Sequence, residues 1–266
     1  MVFVRWIMML LSCWCVTVAS ASTLTVRVVT ITEQPEGHIF YLQVLEEALR
    51  LSGHEFEIRV LGSVPQVRAQ AYLQAGTTDV FWMIRDAQRD QLYLPVDVRL
   101  NSGLIGHRVL MIRPEDQALF DDVTDLESFR KLGLTVGFGR GWIDSLVWAA
   151  NDLKYYEEPG TWSVMFDKLI RGRGDFDYLS RSVKEIGDEL VQHPALVAER
   201  NLVLAYDRDE AFYVSQQRPE LHQILSESML ALEQSGRLQQ LVDAYWGDVL
   251  DGIDFDSRLI IELVTP

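Results

Sequence analysis

Cysteine is almost absent. The 266-residue chain has two, Cys13 and Cys15, both close to the amino terminus. The rest therefore has no thiol, which excludes a disulfide framework and a cysteine metal centre. Stability must come from core packing, which this length permits. Basic side chains are also scarce, with 24 Lys and Arg against 39 Asp and Glu and a net charge of −15. Phosphate contacts need clustered cations, so nucleic-acid binding is excluded as a function class. The five histidines, His38, His54, His107, His193 and His222, are scattered without metal-ligand spacing. There is no G-x-S-x-G, no P-loop and no dinucleotide glycine fingerprint. Low-complexity linkers and long charge runs are missing too. No cofactor or metal is implied.

What is present begins with a leader. Arg5 supplies a positive start, Trp6 to Val18 an apolar run, and Ala19-Ser20-Ala21 a small-residue cleavage site. The run is too short for a secure membrane span. Export to the periplasm with cleavage near Ala21 is the expectation. Leu10-Leu11-Ser12-Cys13 resembles a lipoprotein box, so acylation at Cys13 is the competing outcome.

The stretch from Val164 to Glu185 sets the architecture. Val164, Met165, Leu169 and Ile170 have helical spacing, and Gly172 and Gly174 end the helix. Asp175 to Leu179 reads as a strand, and Ser180 or Ser182 suits the cap of a further helix. The same unit occurs earlier: helix Gln66 to Gln74, turn Ala75-Gly76-Thr77-Thr78, strand Asp79 to Met83, then a loop with Arg85 and Arg89. Two such α/β units place their ligand-bearing strand ends in a cleft between two lobes. Tyr178, Ser180 and Arg181 occupy that place in the second unit, and Trp82 with the loop arginines in the first.

Elsewhere, Leu24 to Ile31 is a β-branched central strand, Ile39 to Leu51 an amphipathic helix and Phe56 to Val60 a second strand. A strand at Leu134 to Phe138 leads through Gly139-Arg140-Gly141 into a helix from Trp142 to Asn151. Amides of that glycine loop suit a carboxylate or phosphate. Strands at Val203 to Tyr206 and Ala211 to Ser215 precede helices Leu221 to Leu232 and Leu238 to Trp246, and the apolar tail Leu259-Ile260-Ile261 packs back. Without a flexible linker, the hinge is expected in strands near Gly103 to Ile112 and Phe212 to Ser215.

The order of elements resembles periplasmic solute-binding proteins of the polar amino-acid type, family 3. Phe212-Tyr213-Val214, Pro219-Glu220-Leu221, Gly236-Arg237-Leu238 and Ala244-Tyr245-Trp246-Gly247 resemble that family's return strand and closing helices. Leu73-Gln74-Ala75-Gly76 with Asp79-Val80 and Arg89 resembles its first-lobe block, and Gly174-Asp175-Phe176-Asp177 its second-lobe block. The resemblance implies an α/β, two-lobed type 2 periplasmic-binding-protein fold with mixed sheets and two crossing hinge strands. It implies residues 22–108 plus 210–266 as lobe 1, 109–209 as lobe 2 and 1–21 as signal peptide. It further implies Arg89 as the partner of a ligand carboxylate, an ABC permease as partner and a monomer.

The chain departs from the family in two places. Thr32-Glu33-Gln34-Pro35 stands where an aromatic-Pro box is usual, and Arg181-Ser182-Val183 where an acid usually meets the ligand's ammonium. The expected site is Arg89, Arg85, Trp82, Trp142, Asp144, Tyr178, Arg181, Glu33 and Arg140. Arginines facing aromatics favour a small polar, carboxylate-bearing ligand, and the chain is expected not to be an enzyme. Two alternatives stand beside this. One is a dehydratase-like enzyme using Glu33, Asp144 or Glu185 as acid or base. The other is a signalling or sensor module whose cleft is empty.

Overall fold

The computed structural model describes residues 23–32 and 38–266. The expected leader, both cysteines and Glu33 lie outside them. In chain order the elements are β1 (Leu24–Ile31), α1 (Ile39–Leu51), β2 (Phe56–Val64), α2 (Gln66–Gln74), β3 (Val80–Ile84), α3 (Ala87–Leu92) and β4 (Leu94–Pro95). There follow β5 (His107–Ile112), α4 (Leu126–Lys131), β6 (Thr135–Gly139), α5 (Asp144–Ala150), β7 (Lys154–Glu158), α6 (Val164–Ile170), β8 (Tyr178–Ser182) and α7 (Ile186–Gln192). The chain closes with β9 (Val197–Ala198), β10 (Leu202–Ala205), β11 (Glu210–Val214), α8 (Pro219–Gln234), α9 (Arg237–Gly252) and β12 (Leu259–Glu262).

The first lobe is built on β1 and β2, paired in parallel, and on the antiparallel set β3-β11-β4. The amide of Asp79 donates to the Arg27 carbonyl at 2.7 Å and brings β3 beside β1. The first strand is thus central, as its β-branched run predicts. Alternation divides the strands' side chains between two layers. Val26, Val28, Val80, Trp82, Phe212 and Val214 meet α1, α8 and α9, whereas Val29, Phe81, Met83 and Tyr213 pack over Ala69 and Leu73 of α2.

The second lobe is a mixed sheet in the order β12-β10-β5-β8-β6-β7, with β9 on β5. Two assignments shift. The strand expected at Asp175 to Leu179 forms at Tyr178–Ser182, because pairing with β5 sets Leu110 opposite Ser180 and Arg108 opposite Ser182. Pairing overrides local propensity here. Strand β7, which the sequence reading missed, lies parallel to β6 from Thr135↔Lys154 to Gly139↔Glu158.

The crossings also differ from expectation. β5 and β11 lie inside the sheets, and the chain passes between lobes just before each, at 96–106 and 206–209. Asp209 ties the two crossings together: its carboxylate accepts from Arg99 Nε at 3.2 Å and from the amides of Asn101 and Gly103. Gly106 is where they touch. A Cβ there would stand 2.1 Å from the Tyr206 carbonyl oxygen. Gly106→Ala is therefore expected to cost about 1–3 kcal/mol by overpacking against backbone; an unchanged urea midpoint would contradict this close approach.

A third crossing follows α9. The tail leaves the first lobe at 253–258, and β12 pairs in parallel with β10, Leu202 opposite Leu259 and Leu204 opposite Ile261. Residues 210–266 thus do not all belong to the first lobe. The cause is burial: Ile261 and Leu263 enter the second lobe's core beside Trp148 and Tyr206. Buried Arg258 fastens this strap, donating from Nε to the Ile253 carbonyl at 2.7 Å and from Nη1 to the carbonyls of Glu199 and Leu202.

Candidate functional site: the interlobe face

The lobes meet where the segment after β8 packs against α1, the start of β11 and α9. One apolar cluster runs through the contact, from Phe40, Tyr41 and Trp246 to Val183, Ile186 and Met165. Lys184, two residues after β8, lies within it. Its Nζ donates to Tyr41 Oη at 2.6 Å and pairs with Glu210 Oε2, and it lies 5.3 Å over the Tyr41 ring and 5.1 Å over Trp246. Tyr41 Oη donates to Glu210, which also accepts from Asn101 Nδ2 at 2.6 Å. Burial and the facing Glu210 carboxylate push the Tyr41 phenol well above its usual range. Tyr41 stacks on Trp82, ring centroids 5.2 Å apart, and Trp82 contacts His38. Lys184, two residues past β8, therefore reaches the first lobe through Tyr41 of α1 and Glu210 of β11.

On the second lobe, Arg181 is the dominant group. It is 5% exposed. Its Nε donates to Glu189 Oε2 at 2.7 Å and its Nη2 to Glu189 Oε1, while Nη2 also pairs with Glu185 at 3.1 Å. The guanidinium carbon lies 5.0 Å from the Trp142 ring and 5.2 Å from that of Trp162. Burial alone would lower the Arg181 pKa, but the two carboxylates outweigh it and keep the cation charged. Burial pushes the Glu189 carboxyl up, whereas for Glu185 the attraction of Arg181, Arg108 and Lys184 overcomes burial and holds it down. Beneath them, Arg108 Nη2 pairs with Asp144 Oδ1 at 2.9 Å, and Tyr206 Oη donates to the same oxygen at 2.7 Å.

The sequence-predicted residues fall into distinct places. Arg181 and Trp142 come together at the carboxyl ends of β8 and β6, and Asp144 lies beneath them on Arg108. Trp82 lies in the first-lobe core beneath Tyr41, 5% exposed. Arg85 pairs with Asp90 and Asp97, and Arg89 with Asp86 at 2.9 Å and with the Ile84 carbonyl. Arg140 is exposed at the end of β6. Tyr178 is a correction. It lies at the amino end of β8, because the strand begins three residues late, and is buried among Phe120, Phe129 and Trp148, whose Nε1 donates to its hydroxyl at 3.1 Å. The glycine loop is corrected too. It wraps Trp142: a Cβ on Gly139 would stand 2.6 Å from that indole, and the Gly141 amide donates to Glu157 at 3.4 Å.

Lys184, Tyr41, Glu210, Trp162, Glu189 and Arg108 were missed. Trp162, following Pro159-Gly160-Thr161, is 38% exposed, and an aromatic in such a loop was the one legible signal. His38 was set aside with the scattered histidines. Its Nε2 accepts from the Ile31 amide at 2.7 Å, which leaves the buried Nδ1–H as donor with no hydrogen-bond partner among the described residues. A cavity of about 410 Å³ lies at the hinge beside Arg99, Ser102, His107, Tyr206, Asp207 and Glu262. It borders neither Trp82 nor Arg181.

No family model and no curated protein matches the sequence. Solved structures do match the fold. The second substrate-binding domain of a putative amino acid ABC transporter from Streptococcus pneumoniae is 17% identical, with a TM-score of 0.55 over 85% of this chain and all of that one. An arginine-specific periplasmic binding protein of Salmonella typhimurium is 13% identical, with a TM-score of 0.54 over 84% of this chain and 100% of that one. A histidine kinase sensor domain similar to periplasmic binding proteins is 16% identical, with a TM-score of 0.54 over 84% and 96%. The chain has the two-lobed fold of the amino-acid substrate-binding proteins, as its order of elements implies.

Proposed function

We propose that the protein captures a small polar, carboxylate-bearing solute between its lobes outside the cytoplasm and presents it to an ABC-type importer. The observation that carries this is the contact between the lobes at Lys184, which meets Tyr41 of α1 and Glu210 of β11, with Arg89 of the first lobe held by Asp86 alone among the described acids. A guanidinium takes a carboxylate bidentately, and on ligand entry Arg89 exchanges Asp86 for it. The buried His38 Nδ1–H, without a hydrogen-bond partner among the described residues, is a second donor suited to a carboxylate. Lobe closure on the solute is then a hinge motion.

Calorimetric titration against amino acids and organic acids tests the reading. A carboxylate is expected to bind, and Arg89→Met to weaken it at least 30-fold, about 2 kcal/mol. Binding by cationic solutes alone would refute it.

Non-enzymatic action is supported by the state of the two described acid–base candidates. Asp144 and Glu185 are both held in ion pairs with arginines. A sensor reading also has an observation in its favour: the interlobe charges satisfy one another, and one structural neighbour is a sensor domain. If no solute in the panel shifts the melting temperature, the sensor reading replaces the transport one.

A further inference from the structure

We infer that Trp142, Trp162, Glu185 and Glu189 form a cation cage on the second lobe whose occupant is the chain's own Arg181, and that Arg181 thereby sets solute specificity by excluding cationic solutes. The inference rests on the solute-binding reading and deepens it.

The four groups do what recognition of a guanidinium requires. Two indole faces lie 5.0 and 5.2 Å from the guanidinium carbon, within cation–π range. Glu189 takes one edge of the fork with both its oxygens, and Glu185 adds a second carboxylate to Nη2. The indoles are 5.7 Å apart at 53°, so they converge on one volume rather than lie as separate surface rings. Both are held there. Trp142 lies against Gly139, where any side chain would collide with it, and Trp162 packs edge-on against Phe166 of α6. Trp162 remains 38% exposed, which leaves a route from solvent to the cage rim.

An ordinary structural ion pair does not account for this set. A buried pair is a weak source of stability, since apolar replacements of the same volume are often neutral or better. Here two tryptophans and two acids surround one guanidinium on the face that closes over solute. The same surroundings would hold a free alkylguanidinium. Because Arg181 is attached to β8, its effective concentration at the cage excludes a soluble competitor. Lys184 and Arg89 are then the cations left for an incoming carboxylate.

The test vacates the cage in the full chain and supplies methylguanidinium as chloride. Arg181→Ala is expected to bind it saturably in the millimolar range and to gain roughly 2–4 °C in melting temperature at about tenfold excess over Kd. The wild type shows no saturable response, and sodium chloride at equal ionic strength gives none in either protein. Adding Trp142→Ala or Glu189→Gln to Arg181→Ala is expected to abolish the response. If Arg181→Ala does not fold without the probe, Arg181→Ala/Glu185→Gln, with one unpaired carboxylate fewer, carries the same titration. A folded variant without saturable binding overturns the proposal. So does failure of both variants to fold in methylguanidinium, since a matching cage would be refilled. The titration does not require the natural solute. Its failure leaves wild-type solute capture standing, and a failed solute panel leaves the cage result readable.

Discussion

Asp144→Ala is expected to lower stability by about 3 kcal/mol, because it removes the carboxylate paired with buried Arg108 and leaves only the more distant attraction of Glu185. Arg108 is 4% exposed and Asp144 6%, so water compensates neither. Tyr206 loses its acceptor at the same time. A triple change, Arg108→Met, Asp144→Leu and Tyr206→Phe, removes all three polar partners and is expected to recover roughly half of the loss or more. Urea denaturation reads both variants. A loss below about 1 kcal/mol in Asp144→Ala would mean that water reaches Arg108 after all. The position makes the result informative: α5 presents Asp144 beneath the interlobe face, while Tyr206 begins the return crossing. The pair thus joins the second lobe to its hinge.

Asp79→Ala is expected to cost about 3 kcal/mol, the lower end for a broken buried pair, because its partner Arg27 keeps 37% of its side chain in water. Asp79 itself is wholly buried at the entrance to β3. Its carboxylate accepts from the Arg27 amide at 2.7 Å, from Arg27 Nε at 3.0 Å and from Arg27 Nη2 at 2.6 Å, and pairs with Arg218 at 2.9 Å. Burial pushes this carboxyl up, but the Arg27 side chain and amide, with Arg218, outweigh it and hold the pKa below the usual aspartate value. A depressed folded pKa means stability that is fully present above the unfolded value and lost as pH falls through the folded one. The wild type should therefore lose stability from about pH 4 downward, and Asp79→Ala should lose less over that interval. Parallel slopes for the two proteins would remove Asp79 from the account of acid unfolding.

How much of this was legible follows from what each residue depends on. The β3 strand was readable because Val80, Phe81, Trp82 and Met83 are buried on both faces, which demands a continuous apolar run. Helices α8 and α9 were readable because their apolar spacing and the intervening Ser235-Gly236 are local features. β8 was misplaced by three residues because its register is set by β5, more than sixty positions away, and that pairing leaves no local trace. Tyr178 moved with it, from the expected cleft into the core. β7 was missed since its exposed Lys154 and Tyr155 break the alternation expected of a strand.

The site was legible in part for a related reason. Arg181 and Trp142 announce themselves as a cation and an aromatic at strand ends. Lys184 does not, because its role depends on Tyr41 and Glu210, remote positions that folding brings to it. Partners of a buried charge are fixed by tertiary structure, and a chain read alone names the charge without its neighbours.

The tail that ends in β12 bears on how the halves can part. Two chain passages side by side define an axis, and a body swings about it like a door. A third passage away from that line behaves as a stay-cable: any swing must lengthen it, bend it or carry it along. Here the cable is anchored by Arg258 to the carbonyls of Ile253, Glu199 and Leu202. The permitted rotation is therefore either one whose axis runs close to all three passages or one that first unzips the terminal strand from its neighbour.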